Sequence, residues 1–285
     1  MVDLETFRAH VLEEGRRLYR DLPWRRTRDP YAIWVSEIML QQTQVQRVDG
    51  RWQRWLDRFP TVAALAEAPQ AEVLQEWQGL GYNRRAIALK RAAEMIDAAG
   101  GAVPRGQREL VALPGIGPVT AAGIRAFAHD LPGVYLDTNV RSVFLHELFA
   151  ERDAVTDGEL IPLVEAACPP DDSDPDDDPR TWYYALLDYG AELKRTVPNP
   201  SRRSTGHHRQ SRFEGSHRQK RSELVRIVLA HGDTGGVTLE RAAAELDGTE
   251  RAAGREPVGE EAVLGILEEL ESEGFCRHTG DVWLP

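Results

Sequence analysis

Cysteine is almost missing from this sequence: only Cys168 and Cys276 occur, far apart along the chain. Neither a disulfide framework nor a cysteine-built metal site is therefore available. No apolar run approaches the roughly 18 residues that a membrane-spanning helix requires. The first residues, MVDLETFRAHVLEEG, are acidic and amphipathic rather than basic and then apolar, so export is not expected. Convincing period-two alternation is absent from the first 193 residues, which excludes a substantial sheet there. Lysine is scarce as well, at three of 35 basic residues, a bias that fits GC-rich coding or a salty cytosol in which surface acids replace lysines.

The chain that remains is 285 residues long and 41% hydrophobic, enough for one large or two to three small domains. Its net charge of -11 argues against a nucleic-acid partner. The distribution of charge reverses that inference locally. Lys194 to Arg221 holds nine Lys or Arg against the single acid Glu214, whereas Ser222 to Pro285 holds five against fourteen acids. Apolar positions three and four apart predict helices through most of the first 193 residues, for example Phe7 to Leu18, Val62 to Glu67, Glu72 to Gln78 and Arg84 to Ala99. The Asp-rich run Asp171 to Asp178 reads as a solvated loop. In the tail, helices over Ser222–Ala230, Leu239–Leu246 and Glu260–Glu273 precede a hairpin turning near Thr279-Gly280, the order of a winged helix.

Three strings carry chemistry. In LPGIGPVTAAGI, Leu113 to Ile124, Gly115 and Gly117 permit a tight turn, and the amides opening the next helix point outward with partial positive charge. Gly115, Ile116, Gly117 and Thr120 thus form a place where a phosphate could be held without a basic side chain. In PYAIWVSEIMLQQTQV, Pro30 to Val45, Glu37 stands among Ile33, Trp34, Ile38 and Leu40; a carboxylate so placed is costly to ionise, the property of a general acid near neutral pH. A solvent-facing Glu on an amphipathic helix is the bland alternative. In YLDTNVRSVF, Asp137 can cap the helix that Asn139 and Val140 enter, and a mere cap is again the bland alternative.

Together with PWR (Pro23 to Arg25) and GLGYN (Gly79 to Asn83), these strings resemble, in order and spacing, the helix-hairpin-helix DNA glycosylase superfamily. The likeness is greatest to its MutY-type adenine glycosylase branch and covers about residues 20 to 200. It implies an all-α, two-lobed fold, one lobe over 22–130 and the other from 1–21 with 131–213; charge and element order add a basic loop at 194–221 and a small winged-helix-like α+β domain at 222–285. It implies that Glu37 protonates the departing base and helps to position water, that Asp137 stabilises an oxocarbenium-like sugar, and that Asn139 supports the same centre. Trp24, Arg25 and Leu40 match the pocket around a flipped base, joined there by Val119 and Tyr184. Gln42, Thr43, Leu80 and Tyr82 match residues that enter the base stack and contact the opposite base. The branch that also cuts the strand uses a lysine at the position of Val119, which has no nucleophile, so hydrolysis without strand cleavage is expected.

The sequence departs from the family in three places. Relatives bind an iron-sulfur cluster through C-x6-C-x2-C-x5-C, but the matching positions are Lys194, Ser201, Ser204 and Gln210, so no cofactor is expected. His207, His208 and His217 do not make a convincing zinc site. The basic loop, with Arg202, Arg203, Arg209 and Arg212, would instead meet the DNA backbone unaided. Val119 and Tyr184 replace the pocket residues usual in adenine glycosylases, which opens the choice of base. The acidic tail is too short and helical for the nudix-like domain of MutY-type enzymes and reads as a packing or protein-contact module. The expected partner is double-stranded DNA with a mismatch or lesion, with no membrane, in a cytoplasmic, nucleoid-associated setting. The leading expectation is excision of adenine opposite guanine or 8-oxoguanine. The alternatives are another mispaired or damaged base (thymine or uracil opposite guanine, a deaminated or alkylated purine), an endonuclease III-like pyrimidine glycosylase with strand cleavage, and a non-catalytic DNA-binding protein.

Overall fold

A computed structural model describes residues 3–170, 178–206 and 211–285. In chain order the first helices are α1 (Leu4–Leu18), α2 (Pro30–Leu40), α3 (Val45–Val48), α4 (Arg51–Arg58), α5 (Val62–Glu67), α6 (Gln70–Trp77), α7 (Arg84–Ala98) and α8 (Gln107–Val111). They continue as α9 (Pro118–His129), α10 (Thr138–Leu148), α11 (Asp157–Ala167), α12 (Pro179–Thr196), α13 (His217–Ala230), α14 (Leu239–Ala252) and α15 (Glu260–Ser272). The fold is thus mostly helical, as expected, and the strands described are the short β1 (Val237–Thr238), β2 (Arg277–Thr279) and β3 (Val282–Leu284). No described helix is long and apolar enough to cross a membrane.

Contacts divide the chain into two compact units, Met1–Thr61 with Met95–Arg209, and Val62–Glu94 with Gln210–Pro285. Glu37 and Asp137, placed in different lobes by the resemblance, both fall in the first unit.

Local sequence explains how the first unit is framed. Asp29 accepts the amides of Tyr31 and Ala32 and Pro30 follows it, so α2 starts sharply. Because α2 is apolar on all sides, it is buried on all sides, from Tyr31 to Met39. It packs on α9, which begins at Gly117 with Pro118 in its first turn. Asp178 caps α12 through the Thr181 amide, and α12 packs on both α1 and α10. Phe7 of α1 meets Phe144 and Trp182 edge to face, with ring centroids 5.0 and 6.0 Å away.

The second unit ends in α13, β1, α14, α15 and the β2–β3 hairpin, in sheet order β1-β3-β2 with both pairings antiparallel. The three helices and the hairpin read from the sequence are present, and β1 is an added strand. Gly280 makes the hairpin turn at φ +61°. Trp283 pairs with Val237 on one side and His278 on the other, and is buried.

One expectation is corrected here. The basic stretch 194–221 is not a single loop: its first residues end α12 and its last begin α13, five residues before the predicted Ser222, because Ser216 caps α13 by accepting the Gln219 amide. Arg221 is spent on the acidic face of α15, 2.6 Å from Glu269 and from Glu273.

Candidate active site

A cavity of about 310 Å³ opens in the first unit, within the range of small-molecule pockets. Its wall includes Trp24, Arg25, Glu37, Leu40, Gln42, Thr43, Val119, Thr120, Asp137, Asn139 and Tyr184, so most of the residues singled out in the sequence meet there.

Glu37 comes from the buried middle of α2 and is 8% exposed, which removes the solvent-facing alternative. Burial pushes its carboxyl up to about 8, and the nearby Asp137 charge adds to this, while a hydrogen bond with the Tyr135 side chain opposes it. Space for that carboxyl comes from Gly123 of α9. A Cβ at this position would collide with the Glu37 carboxylate and the Tyr135 ring.

Asp137 caps α10, accepting the amides of Asn139 at 2.7 Å and Val140 at 2.8 Å. Burial raises its carboxyl above the ordinary value, opposed by the Val140 and Asn139 amides and by the charges of Lys194 and Arg141. The positive end of α10 favours the anion in the same way. One acid is therefore held protonated near neutral pH by an apolar surround, and the other has the donors and cations an anion needs.

Arg25 forms the cavity's firmest polar support. Its guanidinium grips Asp188 with two bonds of 2.7 and 2.8 Å, and Arg20 Nε adds a third at 2.5 Å. The same guanidinium lies 4.3 Å over the Tyr184 ring, which also stacks on Phe127 at 4.5 Å. Tyr184 is thereby held between its neighbours and lines the cavity, and its buried hydroxyl has no hydrogen-bond partner among the described residues. Gln41 Nε2 donates to Thr120 Oγ1 at 3.0 Å, tying the end of α2 to the start of α9. Val119 is 38% exposed at the mouth, and no lysine lines the cavity among the described residues.

Other singled-out residues lie elsewhere. Gly115, at φ +77°, and Gly117 are exposed in the turn between α8 and α9, and Ile116 is buried there. Tyr82 belongs to the second unit, at φ +48°, and its hydroxyl accepts from Arg218 Nη1 at 3.0 Å. Leu80, expected to enter a base stack, is instead 2% exposed, because the turn after α6 folds it into the core. Arg203, expected on the DNA backbone, directs Nη1 to the carbonyls of Phe149 and Ala150, whereas Arg202 is exposed and Arg212 pairs with Glu214 at 3.5 Å. Arg209, His207, His208, Gln210 and most of the Asp-rich run lie outside the described residues.

Sequence reasoning passed over Tyr135, Gly123 and Gln41, and the partners Arg20 and Asp188 of Arg25. Tyr135, Gly123 and Gln41 stood inside quoted strings without a role; Arg20 and Asp188 are joined to the site only by long-range packing.

The positions that match cluster cysteines do not fit an iron-sulfur cluster. Lys194 is bonded to Asn139, Ser201 Oγ donates to Asn199 Oδ1, Ser204 Oγ accepts the Gly206 amide, and none of them is a thiolate. Among the described residues no group of three His, Cys, Asp or Glu is arranged to hold a metal ion.

Residues 35–167 match the family model of the HhH-GPD superfamily base excision DNA repair proteins. The chain is 42% identical over 176 residues to the adenine DNA glycosylase of Mycolicibacterium smegmatis, covering 61% of this chain and 58% of that one. It is 41% identical over 150 residues to the adenine DNA glycosylase of Rattus norvegicus, covering 49% of this chain and 29% of that one. The chain thus spans less than two thirds of either relative. Among solved structures, a thermostable thymine-DNA glycosylase is similar at TM-score 0.59 and 25% identity, over 69% of this chain and 90% of that one. An endonuclease III in a non-covalent DNA complex shares the fold at TM-score 0.53 and 21% identity, over 69% and 87% of the two chains. Residues 35–167, which include the turn between α8 and α9, thus match an HhH-GPD base excision DNA repair domain within a mostly helical fold.

Proposed function

We propose that the protein is a monofunctional DNA N-glycosylase of base excision repair that removes adenine mispaired with guanine or 8-oxoguanine. The observation that carries this reading is the pair of unlike acids in one cavity, Glu37 raised by burial and Asp137 held on a helix N-terminus. Protonated Glu37 donates to a ring nitrogen of the extruded base as the N-glycosidic bond breaks, and the bonding electrons leave with the base. The Asp137 carboxylate stabilises the positive charge that develops on the sugar. Water then attacks the anomeric carbon, and its proton returns to Glu37. The exposed amides of the turn between α8 and α9 would hold a backbone phosphate, and Arg202 would add charge.

Three further points complete the reading. Val119 at the mouth offers no amine for a Schiff base, so the product is an abasic site with the strand intact. The residues at the cluster positions favour an enzyme that works without an iron-sulfur cluster. The adenine assignment draws on the relatives named adenine DNA glycosylases at about 40% identity. A second reading, thymine or uracil opposite guanine, draws on the thymine-DNA glycosylase likeness and on Tyr184 in the cavity wall.

Single-turnover excision on duplexes bearing adenine opposite 8-oxoguanine or guanine, thymine or uracil opposite guanine, and hypoxanthine, each with and without alkali, tests this. Alkali-dependent cleavage at adenine, abolished by Glu37→Gln, is the expected result. Cleavage confined to another base overturns the substrate but keeps the mechanism. Borohydride trapping of a covalent adduct overturns the monofunctional assignment.

A further inference from the structure

α12 turns two residues of one face toward the first turn of α10. At Gly190 a Cβ would collide with the Asn139 backbone, so a glycine is what allows the two helices to approach this closely. Four residues on, and so on the same face, Lys194 Nζ lies 2.7 Å from Asn139 Oδ1. An ammonium group only donates, so the amide atom facing it is the oxygen. The Asn139 NH2 group is thereby turned the other way, and Asn139 lines the cavity. The same residue's backbone amide donates to Asp137 Oδ1 at 2.7 Å. A continuous line of contacts thus runs from Lys194 through Asn139 to the carboxylate.

Two cations, Lys194 and Arg141, favour the charged form of Asp137. Of these, Arg141 is engaged by both oxygens of Asp157, at 2.8 Å each. Lys194 is half-buried; burial holds its ammonium below the ordinary lysine value, and the charge of Asp137 opposes that shift.

Resting on the reading of Asp137 as the site's anion, we infer that Lys194 is a positioning residue of the catalytic centre: it fixes the Asn139 amide with its N–H donors toward the cavity and backs Asp137 with positive charge. The cavity face of Asn139 then presents two N–H groups to an acceptor oxygen of the substrate or of the attacking water. The position that the family resemblance aligns with a cluster cysteine is here put to electrostatic use at the active site. A thiolate bound to iron could neither donate to Asn139 nor carry this charge.

The test compares Lys194→Met, which keeps chain length and packing, with Lys194→Arg, which restores donor and charge. On the duplex that the wild type cleaves best, Lys194→Met is expected to lower the single-turnover rate about 10- to 100-fold, the usual effect of losing an outer contact. Duplex affinity stays within about twofold, and Lys194→Arg recovers most of the rate. A second readout does not need activity: the Asp137 carboxyl titration, followed by carbon NMR. Asp137 is faced by Glu37, Tyr135, Arg141 and Lys194. Its midpoint moves up in Lys194→Met and returns in Lys194→Arg. An unmoved midpoint, or a Lys194→Met rate within twofold of wild type, overturns the inference. Equal loss in both variants together with a lowered melting temperature assigns Lys194 a packing role and also overturns it. Should the wild type cleave no duplex, the proposed function fails while the titration still decides the role of Lys194.

Discussion

Glu37 and Asp188 are both buried in the first unit, one in the cavity wall and one in its support, and their surroundings are opposite. Asp188 is withdrawn from solvent but receives a bidentate guanidinium from Arg25 and a second cation from Arg20. Glu37 is equally withdrawn and is offered the Tyr135 side chain, the negative Asp137 and an apolar helix. Burial alone therefore does not distinguish structure from chemistry. A buried acid whose charge is matched holds architecture in place; one whose charge is unmatched keeps its proton and has it to give.

Substituting each acid by its amide should break this symmetry. Glu37→Gln is expected to lower base excision at least several hundred-fold while leaving the fold intact. Asp188→Asn should do the reverse in kind: stability falls by about 3 kcal/mol or more, measured by denaturant unfolding, because the Arg25 charge is left buried without its counterion. Equal stability losses in the two variants would mean that the contrast is wrong.

The pH dependence sharpens the same contrast. The Glu37 carboxyl titrates at about 8 in the folded protein against an ordinary 4.5, so between these values the folded state binds the extra proton. Its contribution to stability therefore declines as pH rises from about 4.5 to about 8, and Glu37→Gln removes that decline. The excision rate should fall through about pH 8 as the acid loses its proton. On the acidic side it should fall as Asp137, itself raised, becomes protonated. A rate that keeps rising past pH 9 would exclude Glu37 as the proton donor.

The smallest effect is expected at Arg20, whose side chain is one third exposed. Arg20→Ala should cost about 1 kcal/mol or less, since Arg25 still neutralises Asp188 and solvent screens the lost pair. A larger loss would mean that both cations are needed to keep Asp188 buried.

Much of this site was legible along the chain. Glu37 among apolar neighbours and Asp137 ahead of a helix start are local signals, and local signals survive without coordinates. What escaped was everything that depends on helix packing. Arg25 and Asp188 are 163 residues apart. The Lys194–Asn139 bond spans 55 residues, and Gly123 carries no side chain to draw notice. Leu80 went wrong for a related reason: its string matches a family motif, but the turn it occupies folds the side chain inward. The start of α13 was misplaced because the composition of its first turn is basic and polar, while Ser216 and the acids of α15 decide that it is helical.

Gly123 and Gly190 give the site an unusual genetic exposure. The first makes room for the acid and the second lets α12 reach the residue beside its partner. Every missense change at either codon adds at least a Cβ where none fits. On the proposed function, a lineage that loses either glycine would accumulate errors with both acidic codons unaltered, so a survey of the two acids alone would score such an allele as intact.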